Sequence, residues 1–166
     1  MPEDPYGVRQ DERATLTGFL DWYRGVVARK ADGLGREQAG RALAPSGLSV
    51  LGVIQHLGWA ERLWFRWRFA GEDLDPDLRD DGGNAHTFVV APDASVDDVL
   101  AGYHEAQEDA RRIVAAASLD AIAAREHRLF GAVSLRWIVA HMIEETARHA
   151  GHLDLMRESI DGRTGD

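Results

Sequence analysis

Four stretches of this chain carry apolar residues at steps of three and four, and no convincing strand repeat accompanies them. That periodicity is the tightest constraint on the fold. It gathers the apolar side chains of each stretch on one stripe of a helix, and such stripes are stable only when buried against one another. The first stretch runs from about Asp11 to Lys30, with Leu16, Phe19, Leu20, Tyr23, Val26 and Val27 on its stripe. The second covers about Val50 to Phe69. It follows "LAPSGLSV", which supplies Pro45, Gly47 and the candidate N-caps Ser46 and Ser49. The third opens at "SVDD", a capping-box-like start with Asp98 in place of Glu or Gln, and continues to about Ala117. The fourth begins after Ser134 and ends near "IDG". One long and two moderate links join these helices, which predicts an all-α fold, a four-helix bundle.

At 166 residues the chain is long enough for one continuous core, and a single domain over 1–166 is expected. The long link, "GEDLDPDLRDDGGNAHTFVVAPD" from Gly71 to Asp93, is unusual within a compact bundle and reads as a tether or a lid. Its "HTFVV" patch is compatible with a short extended segment. The link "SLDAIAAREHRLFGAV" precedes Ser134.

Charge and cysteine usage narrow the function. A net charge of −9 argues against nucleic acid, because phosphate binding needs a clustered positive surface. The one basic patch, "ERLWFRWRF", reads as an amphipathic helix with solvated arginines. No apolar run approaches the roughly 18 residues of a membrane span, and "MPEDPYGVRQDE" is unlike a signal peptide, so a cytoplasmic protein without membrane partners is expected. The chain has no cysteine, which excludes disulfides, iron–sulfur clusters, thiolate zinc fingers and a cysteine nucleophile. Any metal must be held by imidazole and carboxylate, and any thiol in the chemistry must arrive on a cosubstrate.

The chemistry concentrates in "EETARHAGHLD", residues 144 to 154. On the fourth helix Leu135, Ile138, Val139, Met142, Ile143, Ala150, Leu153 and Met156 define the apolar stripe. His149 falls inside it and Glu145 at its margin, with His152 and His141 further round the flank. Residues four apart have Cβ atoms about 5–6 Å apart, so Glu145 and His149 are able to reach one ion. On the second helix His56 lies within the apolar arc of Val53, Ile54, Leu57, Ala60, Leu63, Trp64 and Trp67. An ionised carboxylate against an apolar stripe costs several kcal/mol unless paired or metal-bound, and one divalent ion bound by His56, Glu145 and His149 removes that cost. The competing reading is a plain surface flank in which Glu144, Glu145 and Arg148 form exposed pairs. That reading is adopted for His141 and Arg148. His152 stands between, as a proton carrier or a donor to a bound ligand. His104 with Glu108 sits in a polar, solvated stretch, and His86 and His127 have no evident partner. Glu-x-x-His, H-E-x-x-H and G-x-S-x-G motifs are all missing.

Two blocks, "GLSVLGVIQHLGWAERLWFRWRFAGED" and "SLRWIVAHMIEETARHAGHLDLMRESIDG", resemble the DinB-like metalloprotein superfamily, closest to its actinobacterial mini-circle-protein-like branch. The resemblance implies a four-helix bundle with long crossover connections, often dimeric. It also implies a metal held by one histidine of the second helix and a pair four residues apart on the last. Many members have histidine at both positions of that pair. Here the first is Glu145, and the His56, Glu145, His149 set is similar to that of mycothiol-dependent maleylpyruvate isomerase. Zn²⁺, or alternatively Ni²⁺, is the implied ion, and a low-molecular-weight thiol such as mycothiol the implied cosubstrate.

Residues and resemblance together predict a metal-dependent thiol transferase or isomerase acting on a small-molecule substrate, as a homodimer. Three protein ligands leave a coordination position open, as catalytic zinc sites do. The alternatives are a non-catalytic metal- or small-ligand-binding bundle and a metal-free dimeric interaction protein.

Overall fold

The computed structural model describes residues 11–74 and 84–165, and their regular structure is helical apart from two isolated bridges, Ile122 with Ser134 and His127 with Gly131. The long helices are α1 (Glu12–Arg29), α3 (Val50–Glu61), α4 (Val96–Ala116) and α5 (Leu135–Asp161), with a short α2 (Arg36–Gly40) between the first two. Each long helix starts where a polar side chain satisfies a free backbone N–H. Asp11 accepts from Ala14 at 2.8 Å, Ser49 from Gly52 at 3.1 Å, Ser95 from Asp98 at 3.1 Å and Ser134 from Trp137 at 3.2 Å. Asp98 returns the bond to the Ser95 amide, completing the box. Gly162, at φ +76°, adopts the left-handed conformation that closes α5.

Three features depart from the reading of the sequence. The second helix does not stay α-helical to Phe69: beyond Glu61 it continues as a π-helical segment, Arg62–Phe69. At its end the carbonyls of Arg68 and Phe69 accept from the amides of Arg125 and Ala124 on the neighbouring link. The arginines of that segment are also not all solvated. Arg66 pairs with Glu72 and Asp109 near the surface, but Arg68 is buried, with its guanidinium over the Trp64 and Trp67 rings and a 2.7 Å bond to the Glu126 carbonyl. The first part of the "HTFVV" patch is not extended either: Ala85–Phe88 forms a 3-10 turn, and extended backbone angles come at Val89 after it. Residues 75–83 of the same link lie outside the described residues.

α3 packs chiefly on α4, α1 chiefly on α5, and α3 also touches α5. The apolar core falls into two clusters. One gathers Leu20, Trp59, Leu63, Phe65, Ala110, Ile138 and Met142 with their neighbours. The other gathers Val26, Ile54, Leu57, Tyr103, Ala150 and Leu153. Between them runs a polar seam to which every long helix contributes. Arg24 of α1 forms a two-pronged buried ion pair with Glu61 of α3, at 2.7 and 2.6 Å, and Gln107 of α4 and Thr146 of α5 are buried along their helices between residues of the two clusters. Glu145 and His149 occupy the stretch of α5 between Met142 and Ala150, where one cluster gives way to the other.

Candidate metal centre

α5 turns Glu145 and His149 to the same side, four residues apart, and α3 brings His56 to meet them. Nε2 of His56 lies 3.2 Å from Oε1 of Glu145, and Nε2 of His149 lies 3.3 Å from that same oxygen. One ligand-type atom from each residue sits within 4.8 Å of the other two. His56 is 1% exposed and His149 7%, while the Glu145 side chain is 17% exposed. Glu144, one residue away, is exposed, as the helical wheel requires.

The charge states follow from the surroundings. Hydrogen bonding to His149, the largest cause, holds the Glu145 carboxyl far below the usual carboxylate range, so it is ionised. Burial lowers the His56 pKa, against the pull of Glu145, so His56 is neutral at physiological pH. Its other nitrogen, Nδ1, lies 2.8 Å from the Thr87 hydroxyl oxygen, and that hydroxyl donates to the Asn84 carbonyl at 2.6 Å. A hydroxyl has one proton to give, so the Thr87 oxygen accepts from Nδ1–H. The Nε2 lone pair of His56 is thereby turned toward an anionic oxygen, an arrangement that calls for a cation between them. On the other side, Nδ1 of His149 meets Nδ1 of His152 at 3.4 Å.

The donor set suits a first-row divalent ion. Two imidazole nitrogens and one carboxylate oxygen are borderline ligands that Zn²⁺ and Ni²⁺ both accept. Bonds of about 2.0–2.2 Å arranged tetrahedrally put neighbouring ligand atoms about 3.3 Å apart. The two separations from Glu145 Oε1, 3.2 and 3.3 Å, match that edge.

A family model described as mycothiol-S-transferase matches residues 15–162. The chain belongs to that family. The mycothiol-S-transferase match runs from α1 to the end of α5 and so includes His56, Glu145 and His149, in keeping with the DinB-like resemblance of the sequence. The comparison with curated proteins finds no match.

The remaining histidines of this mycothiol-S-transferase family member separate cleanly. His152 is half-buried behind His149, on the side away from Glu145, where it lines a cavity of about 230 Å³ with Leu43, Leu48, Leu155 and Met156. Burial, with His149 beside it, lowers its pKa. His141 is not a bare surface residue, because it packs against Trp64 and Trp137 at 4.6 and 5.2 Å. His127, without an evident partner in the sequence, stacks on Trp64 and Phe130. His104 is exposed, as expected. Sequence reasoning missed Thr87 and Phe88, whose ring lies flat on the His56 imidazole at 4.0 Å and 14°. It missed Gln55 and Gly52 as well. Both residues it passed over on the link come from an irregular segment with no periodicity to read.

Proposed function

We propose that this protein is a metal-dependent thiol transferase. In this reading His56, Glu145 and His149 hold one divalent ion, Zn²⁺ first and Ni²⁺ as the alternative, and a low-molecular-weight thiol of the mycothiol class is the cosubstrate. The observation that carries the reading is the meeting of an ionised carboxylate with two imidazoles, brought from two helices of a family member that has no cysteine. The sulfur that reacts therefore comes from outside the chain.

A divalent ion in such a site supplies Lewis acidity, which lowers the pKa of a bound thiol or water so that a nucleophile exists at neutral pH. The residues of the chain supply the rest. Glu145 provides the single negative charge among the three ligands and offsets much of the ion's charge. His56 is fixed by Thr87 in the tautomer that leaves Nε2 free. His149 is supported from behind by His152, whose Nδ1 accepts when His149 carries its proton on Nδ1. Transfer forms a carbon–sulfur bond between the thiol and an electrophilic carbon. The leaving group departs with the bonding electron pair, and the thiol proton passes to solvent. His152, beside His149, is the residue of the chain assigned to hand that proton on to solvent.

Elemental analysis of the purified protein tests the first half of this reading, with about one divalent ion per chain expected from the three-ligand arrangement. Incubation with mycothiol and an activated alkyl halide tests the second half, with thioether formation that a chelator abolishes. Metal-free protein that refuses both Zn²⁺ and Ni²⁺ at micromolar concentration overturns the reading. Full metal occupancy in His56→Ala overturns the choice of ligands.

A further inference from the structure

The Asn84–Val89 segment is attached to α3 at the residue that faces Glu145, and the attachment is chemically specific. The Thr87 hydroxyl accepts a hydrogen bond from His56 Nδ1–H at 2.8 Å and donates one to the Asn84 carbonyl. Gln55, the residue before His56, donates from Nε2 to the carbonyls of both Thr87 and Val89, each at 2.9 Å. Phe88 covers the face of the His56 ring. Gly52, one turn earlier, makes room for the approach: a Cβ there would lie 2.5 Å from the Phe88 carbonyl oxygen. Thr87 and Phe88 thus meet the His56 imidazole directly, while Gln55 and Gly52 of α3 hold the segment's backbone beside it. Packing alone would not require the Thr87 hydroxyl, since valine has the same shape without it.

We propose that Asn84–Val89 is a strap that sets the tautomer of His56 through Thr87, and that strap docking and metal loading are coupled. This rests on the metal-binding reading of His56, Glu145 and His149. With the strap seated, Nδ1 holds the proton and Nε2 is committed to the ion. With it lifted, the ring is free to place its proton on Nε2, and the site loses a ligand. Coupling of this kind is reciprocal, so the ion holds the strap down by as much as the strap improves the affinity for the ion. Thr87 is a positioning residue, acting only through His56.

The test uses the full chain with Thr87→Val, which keeps shape and removes the acceptor, and Thr87→Ser, which restores the hydroxyl. Ring ¹⁵N NMR of metal-free protein at neutral pH reads the tautomer directly. The parent and Thr87→Ser are expected to hold His56 as the Nδ1–H form, and Thr87→Val to show a mixture. Zn²⁺ titration against a chromophoric chelator is expected to give a 10–100-fold weaker Kd in Thr87→Val and a change within about threefold in Thr87→Ser, the range typical of groups that orient metal ligands. An unchanged tautomer and Kd in Thr87→Val overturns the proposal, as does equal weakening by serine and valine. A parent that binds no Zn²⁺ overturns the metal reading and the coupling with it, while the NMR measurement still decides whether Thr87 sets the tautomer.

Discussion

Replacing Glu145 with glutamine keeps the shape of the side chain and removes the only negative charge among the three converging residues. Its Oε1 stands 3.2 and 3.3 Å from the two imidazole nitrogens, and no other carboxylate joins this group among the described residues. Loss of a directly placed charged ligand should weaken Zn²⁺ binding by at least about 100-fold, the upper end of what even an orienting partner contributes. Thermal unfolding converts this to a measurable shift. At free Zn²⁺ about 1,000 times the parent Kd, binding stabilises the parent by ~4.1 kcal/mol, and a 100-fold weaker site retains only ~1.4 kcal/mol. For a chain of this size, 1 kcal/mol moves Tm by about 2–4 °C. The Zn²⁺-induced rise in Tm should therefore shrink from about 8–16 °C to about 3–6 °C. Glu144→Gln is the control. Glu144 is exposed and contacts His141 at 3.4 Å, so its substitution should leave the parent's Zn²⁺ response intact and change stability by no more than about 0.5 kcal/mol. A normal Zn²⁺ response in Glu145→Gln, or a lost one in Glu144→Gln, refutes the assignment.

The buried pair gives a second expectation. Arg24→Met strands the Glu61 carboxylate and should cost about 3–5 kcal/mol, whereas Arg24→Met with Glu61→Leu should restore or exceed parental stability; additive effects in a urea double-mutant cycle would contradict this. Acid should destabilise the metal-stripped protein. The folded-state pKa values of His56 and Glu145 are both lowered, so the unfolded chain binds protons first as pH falls. Stability present above about pH 6.5 should decline below it through His56, and decline further below about pH 4.5 through Glu145, so a urea midpoint that is flat or rising on acidification contradicts the scheme. Gly52→Ala gains about 1 kcal/mol of helix propensity, yet the 2.5 Å approach to a backbone oxygen should make it a net loss of about 1–3 kcal/mol, and a stabilised variant would show that the strap does not rest there.

Much of this was legible in the sequence because helices advertise themselves locally. Asp11, Ser49, Ser95 and Ser134 cap the helices that their positions suggest, and Gly162 ends the last. The spacing from Glu145 to His149 fixes their shared face without any knowledge of the neighbours. His56 was legible because a histidine within an apolar arc must point inward, toward whatever α5 presents. What escaped depends on contacts between distant segments. The π-helical stretch is held by amides of Ala124 and Arg125, more than fifty residues on, and no local propensity encodes that. Arg68 was read as solvated because charge usually is, whereas two tryptophans and a carbonyl make burial tolerable here. Thr87 lies 31 residues from His56 in a link with no repeating pattern.

The polar seam across the core has a consequence for alignment. Helices packed through uniform apolar stripes are able to slide past one another by a turn, about 5.4 Å, with little change in buried area. Here such a slip would carry the Glu61 carboxylate out of reach of the Arg24 guanidinium, which keeps Asp21 on its own helix, and leave the Glu61 charge buried without its partner. The pair therefore works as a detent. It locks the axial position of α3, and with it the height at which His56 arrives opposite Glu145 and His149, before any ion is bound.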